Sequence, residues 1–204
     1  MTVSAAALDS TARRLLHDAA CRRLAALLFA PPDENRAREL RALADEIADP
    51  ALIAAARQAL SEADPAVYHS TFGPGGPVSL RQVTHSLHVT PGALLAELAI
   101  HYEAFGYHPT DGEPPDHIAV ETDFTAFVLM KQAYALASGE ADRARDFAGA
   151  EKNFAGRHLG ILSEAVMKDL RLFPIPYMIA AGEWLAEQVG PHMISESPSG
   201  TPSQ

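Results

Sequence analysis

Proline placement constrains this chain more than any other feature. A proline inside a helix removes a hydrogen bond and collides with the preceding turn, and inside a central strand it breaks the ladder. The fifteen prolines stand at 31, 32, 50, 65, 74, 77, 91, 109, 114, 115, 174, 176, 191, 198 and 202. The blocks between them are rich in Ala, Leu, Glu and Arg, which are strong helix formers, and are of helical length. No stretch alternates apolar and polar residues long enough for a strand, and no period of roughly 30–45 residues repeats. At 204 residues the chain has the length of one domain. The expectation is therefore all-α: a single-domain helical bundle of about eight to ten helices over residues 1–190, then a disordered Ser/Pro/Gly-rich tail, 191–204.

Apolar spacing places the helices. Leu16, Ala20, Leu24, Leu27 and Leu28 form one stripe of an amphipathic first helix that stops at Pro31-Pro32. Residues 33–48 and 50–63 follow as shorter helices. Thr90-Pro91 reads as a hydroxyl N-cap before a first-turn proline; Leu94, Leu95, Leu98, Tyr102 and Phe105 then share a face, and Gly106 ends it. After Pro114-Pro115 a long helix runs to about Ser138, with Val120, Phe124, Phe127, Lys131 and Tyr134 at helical spacing. Residues 140–172, with a break near Gly156, and 176–189 complete the set. Two segments do not read as plain helix: 68–82, with Gly73-Pro74-Gly75-Gly76-Pro77 at its centre, and 106–124. Loops on a rigid scaffold are where function concentrates.

Charge and cysteine content exclude several classes. Sixteen basic against twenty-six acidic residues give a net charge of −10, which disfavours nucleic acid and favours basic partners. One cysteine, Cys21, leaves no internal disulfide and no thiolate-rich metal site, as in a cytoplasmic protein. No uncharged apolar run is long enough for stable membrane insertion. Arg13-Arg14 followed by Leu15-Leu16 resembles an export leader, but His17, Asp18, Arg22 and Arg23 interrupt it, so it reads as part of the first helix. There is no nucleophile elbow, and the Gly-Pro segment lacks the Lys-Ser/Thr ending of a phosphate loop. None of the nine histidines has a glutamate three positions before it. The Glu97/His101 and His117/Glu121 pairs and the His85/His88 pair read as surface or capping contacts.

The 49 residues between Arg81 and Lys131 contain no Lys or Arg. They hold Glu97, Glu103, Asp111, Glu113, Asp116, Glu121 and Asp123, and five histidines, His85, His88, His101, His108 and His117. Such a window is either a solvated acidic face or an electronegative groove for a cationic peptide.

Within it, Glu113-Pro114-Pro115-Asp116-His117-Ile118-Ala119-Val120-Glu121 resembles the E-P-x-D-H-[IL]-x-x-E signature of the TorD/DmsD/NarJ family of chaperones for molybdenum-cofactor oxidoreductases. Tyr68-x-x-x-Phe72-Gly73-Pro74-Gly75 is similar to that family's aromatic–Gly–Pro loop. Phe154-x-x-x-His158-Leu159, Pro176-Tyr177 and Trp184-Leu185 are similar to its C-terminal pattern, so the likeness spans about residues 15–190. The chain departs from the family at Thr122, where Leu is usual, and at Ile161, where a bulky aromatic is usual.

The resemblance implies a cytoplasmic, all-helical chaperone without turnover or cofactor of its own. It would bind the twin-arginine leader and apo catalytic subunit of a molybdoenzyme of the dimethyl sulfoxide reductase family, delaying export until the cofactor is inserted. It also implies roles for individual residues: Asp116 and His117 as binding hinge, Glu113 and Glu121 as acidic support beside Pro114, and Tyr68, Phe72, Gly73 and Pro74 as a second loop. Read locally, Asp116 would cap the following helix and His117 would pair with Glu121. A NarJ-type assembly chaperone for a non-exported enzyme is the alternative, and a nucleotide- or metal-dependent helical enzyme the alternative of another class. Monomer and domain-swapped homodimer both stay open. Carboxylates around His117 would favour its protonation, so leader binding would weaken as pH falls through ~6–7.

Overall fold

In a computed structural model, residues 9–86, 89–109 and 112–189 are described. The predicted tail 191–204, His88 and Asp111 lie outside them. The described residues form α1 (Ser10–Phe29), α2 (Glu34–Glu46), α3 (Pro50–Glu62), α4 (Pro65–Phe72), α5 (Gln82–His85), α6 (Pro91–Phe105), α7 (Ile118–Ala137), α8 (Ala141–Phe154), a π-helical segment (Ala155–Leu159), α9 (Gly160–Leu170) and α10 (Pro176–Val189). Among them no strand is found, and the fold is an all-α bundle. No helix among the described residues is long and apolar enough to cross a membrane.

Aspartate begins the first four helices. Asp9, Asp33, Asp49 and Asp64 each accept backbone N–H groups of the first turn, and at α3 and α4 the next residue is the N1 proline. At Thr90-Pro91, by contrast, the hydroxyl makes no capping bond; the Thr90 carbonyl receives the Ala93 and Leu94 N–H groups instead. Gly106 ends α6 in the left-handed conformation, φ +64°. The expected break near Gly156 is the π segment, which carries one helical axis from α8 into α9 with an extra residue in its turn. Residues 65–72 form α4, so the first irregular segment is shorter than its composition suggests.

α1 and α7 lie side by side along much of their length and form the centre of the bundle. In the first half of α1 the buried positions are Ala12, Leu15 and Ala19, one residue off the expected stripe, whose Leu16 and Ala20 are half-buried. From Leu24 to Phe29 every residue is buried, because α2, α3, α10 and α7 cover the helix on several sides. One core joins α1 to α2, α3, α9 and α10; a second, largely aromatic, joins α6, α7 and α8 around Tyr102, Phe124 and Phe154. Ile118 and Ala119 face the first core and Val120 and Phe124 the second, so the start of α7 is fixed from both sides.

Candidate functional site

The two irregular segments meet. Leu80 O accepts from Ile118 N at 2.9 Å and Asp116 O accepts from Gln82 N at 2.8 Å, pairing residues 80–82 with 116–118 in a short antiparallel bridge. The Gly-Pro turn makes this return possible. A Cβ on Gly73 would collide with the His69 carbonyl and one on Gly76 with the Thr71 carbonyl, so glycine is required for close approach to the end of α4.

The side chains of the Asp-His turn point inward. Asp116 is 0% exposed. Its Oδ1 accepts from Arg81 Nε (3.0 Å) and Nη2 (2.8 Å), and its Oδ2 from Val83 N (3.1 Å). It therefore ties the α5 segment to the motif and does not cap α7. The cap is His117, whose Nδ1 accepts from Ala119 N at 3.2 Å. That bond leaves the ring proton on Nε2, which faces Tyr68 Oη at 3.4 Å and Glu113 Oε2 at 3.5 Å. The Tyr68 hydroxyl donates in turn to Phe29 O at 3.0 Å, so one chain of polar contacts links α4, the end of α1 and the start of α7.

Two expectations are corrected here. His117 does not pair with Glu121, whose carboxyl is fully buried with no partner on either oxygen among the described residues. Burial, and next the charge of Asp116, push the Glu121 pKa well above the ordinary carboxyl value. Nor does His117 titrate between pH 6 and 7: burial outweighs the neighbouring Asp116 and lowers its pKa to about 4. Glu113 is half-buried, and burial raises its carboxyl pKa.

Little of the acidic window is a free acidic face. Asp116 is paired with Arg81, Glu97 with Arg157 (2.6 Å) and Asp123 with Arg23 (2.8 Å), while Glu121 is buried. The cations that bound the window also turn back into it, Arg81 onto Asp116 and Lys131 Nζ onto the Phe105 carbonyl at 2.7 Å.

What stays open is a groove along α1 and α7. A cavity of about 290 Å³ carries Asp33, Glu39, Glu113 and Asp123 against Arg23 and Arg36, four carboxylates to two guanidiniums. It adjoins a larger cavity of about 570 Å³, walled mainly by Leu16, Ala19, Ala20, Ala126, Phe127 and Met130. Arg23, Tyr107 and Asp123 line both. Arg23 holds Glu39 with two bonds (2.8 and 2.9 Å) as well as Asp123, and Tyr107 donates to Asp123 at 2.8 Å. Of the residues to which the resemblance gives roles, Glu113 alone lines this groove, joined by Asp123 from the acidic window. Asp116, His117 and Glu121 do not line it; the rings of Tyr68 and Phe72 pack at a 5.0 Å centroid separation, tilted by 55°, Gly73 closes α4, and Pro74 is exposed. Sequence reasoning reaches Asp123 only as part of the acidic window and misses Arg23 and Glu39, because their pairing spans α1, α2 and α7.

Such a molecule is, by class, an all-α scaffold built round a buried acidic turn, with an acidic and apolar groove beside it. The model of the nitrate reductase delta subunit family matches residues 29–161, about two thirds of the chain. The chain belongs to this family, the NarJ/TorD-type chaperones of molybdoenzyme assembly. Among curated proteins no relative is matched.

Proposed function

We propose that this chain is a cytoplasmic, system-specific chaperone that holds the twin-arginine leader of a molybdoenzyme catalytic subunit in the α1/α7 groove until the cofactor is inserted. The observation that carries this reading is the continuity of an acid-lined cavity with an apolar one, since a leader presents an arginine pair followed by an apolar, helix-prone stretch. Glu39, Asp123 and Glu113 meet the arginines, and Ala20, Ala126, Phe127 and Met130 receive the apolar stretch. Asp116 and His117 act as positioning residues: they hold the loop bearing Glu113 and the start of α7 in register. Tyr68 anchors the turn, and Glu121, Pro114, Phe72, Gly73 and Pro74 shape its surroundings.

The test is capture of native partners on tagged protein, repeated with titration of a synthetic leader. The expected result is one molybdoenzyme catalytic subunit, lost when its leader is deleted, and micromolar or tighter peptide binding that weakens with salt. Equal affinity for a peptide lacking the arginine pair would overturn the leader reading. Retention of a leader-deleted subunit would instead identify the NarJ-type mode.

A further inference from the structure

Glu97 and His101 lie one turn apart on α6, and His158 reaches them from the π segment; one donor atom of each lies within 4.8 Å of the other two. His158 Nε2 stands 3.6 Å from Glu97 Oε1, and the two imidazole centroids are 5.6 Å apart. His158 is 2% exposed, yet its Nε2 has no hydrogen-bond partner among the described residues. Its other nitrogen, Nδ1, lies 3.3 Å from the amide oxygen of Gln82, an acceptor, so the ring proton resides there. Nε2 then turns a bare lone pair toward a carboxylate. A buried lone pair facing a carboxylate oxygen is unfavourable until a cation lies between them.

The surroundings fit such a cation. Two imidazoles and one carboxylate are the donor set of borderline divalent metals, whereas magnesium and calcium take oxygen donors. Phe154 packs against both rings, at 5.5 Å from His101 and 4.9 Å from His158, giving an apolar floor. Gln82 holds the outer nitrogen of a ligand histidine, as hydrogen-bonding partners in metal sites do. It is itself fixed by its own N–H on Asp116 O. A π turn inserted into a helix re-aims the residues it carries and is frequent at functional sites. His101 is half-buried and the Glu97 side chain is 34% exposed, so both have room to close onto an ion and solvent has a path in.

We propose that Glu97, His101 and His158 form a site for one divalent transition-metal ion, zinc first, with Gln82 orienting the His158 ring and a fourth position left to solvent. The inference is independent of the client-binding reading. Arg157, whose Nη2 is 2.6 Å from Glu97 Oε1, competes with the ion for that carboxylate.

The experiment uses untagged full-length chain stripped with a chelator and titrated with Zn²⁺ by calorimetry, and with Co²⁺ by its visible ligand-field bands. The expected result is one ion per chain. Glu97→Gln and His101→Gln, both at accessible positions, lower affinity by at least about a hundredfold with unchanged circular dichroism, and Gln82→Ala by about ten- to a hundredfold. Arg157→Ala raises affinity about two- to fivefold by removing the competitor. Affinity unchanged in both Glu97→Gln and His101→Gln would overturn the site. So would a His158 imidazole that nitrogen NMR finds doubly protonated at neutral pH in the presence of stoichiometric Zn²⁺.

Discussion

Asp116 sits where no water reaches it, and three N–H groups converge on its carboxylate. Removing it strands the Val83 N–H in the interior, although Arg81, 40% exposed, can turn to solvent. Asp116→Ala should therefore destabilise the chain by about 2–4 kcal/mol in urea unfolding. A loss under ~1 kcal/mol would mean that the clamp between residues 80–83 and 116–118 is held by backbone bonds alone. Glu121 works the other way. Its pKa is raised in the folded chain, so its contribution is full below the ordinary carboxyl pKa of 4.5 and is lost as pH rises through the folded value. Glu121→Gln should flatten the decline of the urea midpoint as pH rises above the ordinary carboxyl pKa of 4.5; parallel curves for the two proteins would refute this. His117 adds an acid-side loss, since its folded pKa of about 4 lies below the ordinary 6.5. Stability is kept above 6.5 and falls as pH drops toward 4, by up to ~1.4 kcal/mol per pH unit.

At the scale of elements, Asp49 shows how a cap becomes a tertiary contact. Its Oδ1 accepts from Ala51 N and Leu52 N at 3.0 Å each, starting α3, while Oδ2 accepts from Trp184 Nε1 on α10 at 2.9 Å. Asp49→Ala should cost about 1.5–3 kcal/mol, a cap plus a hydrogen bond. Because Trp184 is the only tryptophan, its native-state fluorescence should change as well, and an unaltered spectrum would show that the indole is held by packing alone. The start of α3 was legible in sequence as the beginning of the expected helix 50–63, because an Asp-Pro pair acts within one turn; the same pair at 64–65 starts α4, which was not expected. The Gly-Pro segment hid α4, which ends only one residue before the first glycine. The Asp-His turn was likewise legible as a place but not as a geometry. Arg81 precedes Asp116 by 35 positions, Arg157 follows Glu97 by 60, and His158 joins Glu97 and His101 across the fold. A charge count along the chain sees the carboxylates and none of these partners.

Across the whole molecule the two most central helices, α1 and α7, also wall the groove, so the proposed binding surface belongs to the packed centre of the bundle. A groove of this kind demands little reorganisation and binds through charges already in place. Its mouth, however, holds a guanidinium of the chain's own. Arg23 occupies Glu39 and Asp123 together, and those hydrogen bonds and charges raise its pKa despite the opposing cost of burial. An incoming arginine pair must displace Arg23 or share its carboxylates, which discriminates against peptides that offer a single weak cation. Arg23→Ala frees both acids. Leader affinity should then rise about tenfold and fall more steeply with salt, since the ligand neutralises more unpaired charge. A lysine-pair peptide should gain by a similar factor, narrowing the preference for arginine. Isothermal titration at two or more salt concentrations, below the melting temperature of the variant, measures both effects. Weaker leader binding in Arg23→Ala would mean that this guanidinium supports the ligand directly, and would move the arginine-binding position away from Glu39 and Asp123.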